Sequence, residues 1–170
     1  MAMIILKYCF PISIHVPMVP HITMRNAEAK DLSSIIELLA HDPLGKTREI
    51  TSEKIDPRYL SAFTRIMNDP NQFLMVVIHD EQVIGTCHLT LLPSLTYIGS
   101  TRMQIEAVRI AEGYRGQKIG EWMFGEAIKI AKDHAVTIIQ LTTNAERPEA
   151  KRFYEKLGFQ ASHIGMKLFL

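Results

Sequence analysis

The stretch Val108-Arg109-Ile110-Ala111-Glu112-Gly113-Tyr114-Arg115-Gly116-Gln117-Lys118-Ile119-Gly120 decides how the rest of this chain is read. It runs from an apolar strand through a short basic loop into the start of an amphipathic helix. Gly116 and Gly120 carry no Cβ, so backbone there can come close to a ligand. Arg115 and Lys118 add fixed positive charge. The helix that follows turns its unpaired N–H groups and the positive end of its dipole into the loop. Together these features describe an anion cradle, most naturally for a phosphate or pyrophosphate. The loop is not a P-loop, because it lacks Gly-Lys-Ser/Thr, and Lys118 interrupts any dinucleotide GxGxxG pattern.

At 170 residues the chain is long enough for one domain with a substantial core. Its 47% hydrophobic and 22% charged residues are ordinary globular proportions and exclude a disordered chain. A formal net charge of +1 gives no global field for nucleic acid, so any polyanion contact must be local. Aromatic–basic interleaving is also missing, which argues against a nucleic-acid partner. Cys9 and Cys87 make no CxxC or metal spacing and read as buried thiols in a reducing cytoplasm. The histidines form no cluster at metal-ligand spacing, so no metal site is expected. The apolar start, Met1 to Phe10, lacks a basic n-region, is interrupted by Lys7, and is followed by Pro11, Pro17 and Pro20. It is shorter than the roughly 20 apolar residues of a membrane span. The expectation is a soluble, cytoplasmic protein with no membrane partner.

Residues 1–20 read as an N-terminal extension in which Ile12, Ile14 and Val16 allow a short edge strand among prolines. The domain proper is 21–170. Ile22–Ala27 is a first strand, and Asp31 caps a helix carrying Leu32, Ile35, Ile36 and Leu39. His41–Asp56 is a polar loop. Asp56 as cap and Pro57 at the first helical position open a second helix with Tyr59, Leu60, Phe63, Ile66 and Met67. Strands follow at Gln72–His79 and Gln82–Leu91, and Gly85 marks a bulge or a close backbone approach. Pro93–Thr101 is a loop and Met103–Ile110 a fourth strand. The helix after the cradle buries Ile119, Trp122, Met123, Ala127, Ile130 and Ala131. Val136–Thr142 is a fifth strand. A helix from Arg147-Pro148 stops at Gly158, where a C-terminal glycine cap is expected, and Phe159 onward reads as a final strand. This order indicates an α/β chain of the α+β type, a mixed sheet covered by helices.

A second stretch, Ala150-Lys151-Arg152-Phe153-Tyr154-Glu155-Lys156-Leu157-Gly158-Phe159, gives the cradle its context. With it, the chain from about Ile22 to Leu168 resembles the GNAT superfamily of acetyl-coenzyme A-dependent N-acetyltransferases. The signature loop Arg/Gln-x-x-Gly-x-Gly/Ala falls on Arg115–Gly120. The second hallmark, Ala-x-x-x-Tyr-Glu-Lys-x-Gly-Phe, matches Ala150 to Phe159. One departure is Lys118, which stands at the family's first loop glycine. The resemblance implies a mostly antiparallel sheet of about six to seven strands flanked by about four helices, with acetyl-CoA as co-substrate. It also implies that Ala107–Ile110 splays from its neighbour at a bulge. Backbone groups of Val108, Arg109 and Ile110 then pair with the pantetheine arm. Arg115, Gly116 and the amides of Gln117, Lys118, Ile119 and Gly120 hold the pyrophosphate. Asn144 contacts the cofactor beyond the fifth strand, or else caps the next helix.

Direct attack by an amine on the acetyl group needs a neutral amine, a polarised carbonyl and a protonated thiolate leaving group. Alkyl amines titrate near pH 10.4, so a base must remove a proton at neutral pH. Glu106, a lone carboxylate in an otherwise apolar strand, is the candidate, with burial expected to raise its proton affinity. The competing reading is a solvated strand carboxylate. Tyr154 resembles the family tyrosine that protonates the departing thiolate, although Ala150, Phe153, Tyr154 and Leu157 also form an apolar helix face. His88 faces the acceptor or is a satisfied strand histidine. Arg102 and Arg109 meet an anionic acceptor or stay solvated and ion-paired. The acceptor expected is a primary amine of a small molecule. The Arg147–Tyr154 helix and the short Ser162–Leu168 ending look similar to the small-amine branch, which includes aminoalkylphosphonate acetyltransferases. A protein amine is the alternative acceptor. A non-catalytic acetyl-CoA sensor or partner domain is the alternative function: Glu106 and Tyr154 together argue against it, and Lys118 argues for it. A homodimer is left open beside the monomer.

Overall fold

Apolar side chains at alternate positions, many of them β-branched, build five strands: β1 (Ile22–Asn26), β2 (Gln72–His79), β3 (Gln82–Pro93), β4 (Thr101–Ile110) and β5 (Val136–Leu141). The structure, a computed structural model, describes residues 19–41 and 45–170. Cys9 and the expected edge strand at Ile12–Val16 lie outside the described residues. The strands lie in chain order in one sheet, antiparallel from β1 to β4 and parallel between β4 and β5. The two-residue turn Asp80-Glu81, with φ of 45° and 67°, joins β2 to β3 as a tight hairpin. The parallel step from β4 to β5 is made by a helical crossover, as parallel pairing requires.

Helices are α1 (Leu32–Ala40), α2 (Pro57–Met67), the single turn α3 (Thr96–Gly99), α4 (Ile119–Asp133) and α5 (Pro148–Lys156). The strand repeat of two sorts the core into two layers. Leu74 and Val76 of β2 face α1 and α2, packing with Ala27, Ile35, Phe63 and Ile66. Met75, Val77, Leu89, Leu91, Met103 and Ile105 face the other way, onto Ile119, Met123, Phe124 and Ala127 of α4. Cys87 belongs to this second layer, and burial pushes its thiol up to about 12, so it acts as a small apolar side chain.

Helix ends follow local chemistry. The Asp56 carboxylate accepts from Arg58 N at 2.9 Å, with Pro57 opening α2. At the end of α5, Gly158 takes φ 92° and donates to Glu155 O, while Phe159 N reaches back to Tyr154 O. Asp31 stands at the N-cap of α1 as expected but makes no side-chain cap bond; its buried carboxylate instead accepts from Glu28 N at 2.7 Å and from Arg25 at 2.6 Å.

Two further expectations are corrected. Among the described residues the sheet has five strands rather than six or seven, and no strand forms after Phe159. Ile164, Met166 and Leu168 alternate as a strand would, yet all are exposed, and strand preference is a preference for a pleated, half-buried surface. Among the described residues the segment's hydrogen bonds are local, from Ser162 N to Gln160 O and between Ser162 Oγ and His163 Nδ1. In the Pro93–Thr101 loop, Tyr97 and Ile98 both take left-handed backbone and leave their side chains in solvent.

Gly85 sits where β2 and β3 shift register beside Val77. A Cβ there would stand 2.7 Å from Ile110 Cδ1 and 3.0 Å from Arg109 O. Gly85 therefore lets β3 approach the end of β4. Gly85→Ala is expected to destabilise the fold by about 2 kcal/mol through overpacking, read as a lower denaturant midpoint at unchanged slope.

Candidate functional site

The site begins where β4 loses one neighbour. Pairing with β5 runs from Thr101 opposite Val136 to Ile105 opposite Leu141, and then stops. Pairing with β3 continues to Ile110 opposite Gly85, but slips by one residue between Glu106 opposite His88 and Arg109 opposite Thr86. Ala107, with φ 52°, sits at this bulge. Ala111 N donates to Ile84 O at 2.8 Å, so residues 109 and 111 turn their peptide groups towards β3. Val108 and Ile110 turn theirs to the open side. Two guanidinium groups meet them there: Arg109 Nη1 donates to Val108 O at 2.7 Å, and Arg115 Nε donates to Ile110 O at 3.1 Å.

The loop then closes onto the start of α4. Gln117 Nε2 donates to Gly113 O at 2.9 Å, and Tyr114 is anchored by its hydroxyl, 3.0 Å from His79 Nδ1. Gly116 has φ 76° and open space where a Cβ would point. Lys118, at the N-cap, takes φ 61° and ψ 9°, a conformation costing a non-glycine residue about 1–2 kcal/mol. No side chain caps α4, and its first backbone bond is Trp122 N to Lys118 O. The N–H groups of the first turn thus face the loop as an anion-binding end. The missing Cβ of Gly120 also admits α5, since a Cβ there would lie 3.2 Å from Phe153 Cζ.

Glu106 is exposed rather than buried. The strand repeat explains this: Met103 and Ile105 are buried on the α4 side, and Glu106 points to the opposite face. It lies directly across from His88. Burial lowers the His88 pKa below its ordinary value, and the Glu106 charge only partly opposes this. Gln104 joins the same face, its Oε1 accepting from Gln140 Nε2 at 2.8 Å.

Tyr154 is half-buried on α5, its ring 5.6 Å from Phe124 and 6.0 Å from Phe159. Burial raises its phenol pKa, against the charges of Arg147 and Arg109, so it is a protonated donor at neutral pH. Arg109 bears on it, which ties Tyr154 to the splayed end of β4. Asn144 is exposed beyond β5. Its Oδ1 accepts from Glu146 N at 2.9 Å, and it does not cap α5, whose N-cap is Arg147. The structure thus gathers Val108, Arg109, Ile110, Arg115 and the α4 start, and carries Glu106 and Tyr154 on opposite faces of the sheet. The Ala107 bulge carries no side-chain signal of its own in the sequence. A cleft of about 370 Å³ runs between α1 and residues 50–55 of the polar loop, lined by Ser33, Glu37 and Glu53. Among the described residues no group of three or more His, Cys, Asp or Glu can hold a metal, and no helix is long and apolar enough to cross a membrane.

Residues 33–159 match the acetyltransferase (GNAT) family. The chain is 26% identical over 149 residues to an aminoalkylphosphonate N-acetyltransferase of Salmonella typhimurium, covering 85% of this chain and 89% of the relative. Among solved structures, a transcriptional regulator from Bacillus halodurans is 43% identical with a TM-score of 0.86, over 88% of this chain and all (100%) of that one. A predicted acetyltransferase with acetyl-CoA from Clostridium acetobutylicum shares the fold at 20% identity and a TM-score of 0.66, over 87% and 96% of the two chains.

The lowered His88 pKa fixes a direction for stability. Between that value and the ordinary 6.5, the unfolded chain binds the proton that folded His88 refuses, so stability falls as pH falls. Thermal melts from about pH 7 to about pH 5 are expected to drop more steeply for the wild type than for His88→Gln. Parallel curves would show that His88 titrates as it does in the unfolded chain.

Proposed function

The chain belongs to the acetyltransferase (GNAT) family and is an acetyl-CoA-dependent N-acetyltransferase, and from that premise we propose that it acetylates the primary amine of a small molecule by direct attack. The observation that carries this reading is the open edge of β4 beside an uncapped helix N-terminus, with a carboxylate on the same strand. The aminoalkylphosphonate N-acetyltransferase among its relatives supports a small-molecule acceptor.

Acetyl-CoA fits the residues present. A strand edge with outward peptide groups at Val108 and Ile110 suits an amide-bearing arm, and Arg109 and Arg115 release the two carbonyls as it docks. The amides of Gln117 to Gly120, with Arg115, Gly116 and Lys118 around them, face a pyrophosphate through a helix dipole. Asn144 lies beyond β5 for a further contact. When bound, the thioester supplies an activated acetyl group. The amine nitrogen then forms a bond to the carbonyl carbon as the C–S bond breaks. Glu106 takes the amine proton, through a water at its exposed position, and the Tyr154 phenol gives its proton to the departing thiolate. Its raised pKa keeps that proton on Tyr154 until it is needed.

Glu106→Gln is expected to lower kcat about 100-fold at neutral pH, with the KM for acetyl-CoA little changed. The loss should shrink as pH approaches the amine's own pKa near 10.4, where no base is required. Wild-type turnover across the pH range would remove Glu106 from this role. Tyr154→Phe is expected to lower kcat at an unchanged melting temperature; full turnover in that variant would leave Tyr154 a packing role.

A further inference from the structure

The face of the sheet that carries Glu106 changes character from one side to the other. On β2 it is apolar, with Leu74 and Val76 covered by α1 and α2. His88 lies opposite Leu74, and Thr86 opposite Val76, so the same face continues onto β3. From there it crosses to β4, where Glu106 faces His88, Gln104 faces Thr90 and Arg102 faces Leu92. Arg102, Gln104 and Glu106 therefore stand in a row, at steps of about 7 Å along the strand. Their intervening neighbours, Met103 and Ile105, are buried on the far side under α4. The row holds a cation, an amide and a carboxylate where β2 has leucine and valine.

Arg102 has no counter-ion in this row. Its strand neighbours are Leu92 and Ile138, and the Oε1 of Gln104 is taken by Gln140. Glu106 is two steps away, about 13 Å along the backbone. Arg102 Nε is buried without a hydrogen-bond partner among the described residues, and so is His88 Nε2 at the Glu106 end. A fold rarely strands a charged donor in this way unless an ordered water or a ligand satisfies it, and a site that holds water is one that a polar ligand can fill. An arginine also presents a rigid fork of donors that matches a carboxylate, phosphate or phosphonate and cannot be discharged by pH.

We infer that Arg102 is a specificity-determining residue that binds an anionic group on the acceptor, so that the acceptor is an amine bearing a phosphonate, phosphate or carboxylate. The amine lies at Glu106 and the anion at Arg102, with the polar row between them. The length of the row, shortened by the reach of both side chains, suits a small zwitterion. The position of the amine rests on the acetyltransferase reading; the anion site does not.

The test uses the full chain and amines of matched length: an alkylamine, an amino carboxylate and an aminoalkylphosphonate. The wild type should acetylate one or both anionic amines with a kcat/KM at least about tenfold above that of the alkylamine. Arg102→Gln should bring that ratio to about one through KM, and Arg102→Lys should keep part of it. Acetyl-CoA affinity and melting temperature, measured in each variant, separate this loss from misfolding. Equal activity on charged and uncharged amines in the wild type, or a ratio unmoved in Arg102→Gln, overturns the assignment. If the wild type acetylates none of the three, the small-amine reading fails, and calorimetry with the aminoalkylphosphonate decides the anion site alone. Binding weakened about tenfold in Arg102→Gln supports it, and equal binding by the two proteins overturns it.

Discussion

Strand β4 keeps one neighbour to its end and gives up the other, and the rest of the site depends on that. The parallel ladder to β5 stops at Ile105, while the antiparallel ladder to β3 survives by slipping one residue at Ala107. A left-handed alanine costs about 1–3 kcal/mol and persists only where the surroundings hold it. Here Gly85 allows β3 to stay close, and the Ala111-to-Ile84 bond ties the strand down beyond the bulge. What results is a stretch of backbone edge that is ordered yet unpaired on one side. Sheets usually cover such edges. Among the described residues this one is met by the guanidinium groups of Arg109 and Arg115, which a competing amide can displace.

The same break divides labour between the two faces of the sheet. On the α4 side the layer is apolar and close-packed, down to Gly120 against Phe153, and it sets the helix N-terminus at the mouth of the open edge. Tyr154 belongs to this side, held by Phe124 and Phe159, and keeps its proton because it is partly buried. On the other face, polar side chains from β3, β4 and β5 replace the apolar ones of β2. In the proposed reading, anchoring the cofactor and selecting the acceptor fall to different layers of one sheet, with acetyl transfer where they meet.

Much of this architecture was legible because local chemistry acts alone there. Asp56-Pro57 starts a helix and Gly158 ends one in the structure as in the sequence, since a cap needs only its own turn. The strand–loop–helix run from Val108 to Gly120 was readable for the same reason. Less legible was whatever depends on a neighbour. Alanine at 107 announces no bulge by itself, and the expectation of one rests on the family resemblance alone. The apolar flanks of Glu106 suggested burial, yet the repeat of two places it in solvent, across from His88. Ile164, Met166 and Leu168 carry a strand pattern with no strand beside them. Lys118 is recognisable as a departure, and in the structure it takes a left-handed backbone of the kind that favours glycine.

In the proposed reading the open side of β4 is the docking edge for acetyl-CoA. Backbone hydrogen exchange, resolved by residue with and without coenzyme A, measures this. The amides of Val108 and Ile110 face the open side and are expected to slow about tenfold or more on binding, together with those of Gln117 to Gly120. The Arg109 amide, already bonded to β3, should change far less. Coenzyme A binding that leaves Val108 and Ile110 exchanging as fast as before would show that the cofactor docks elsewhere.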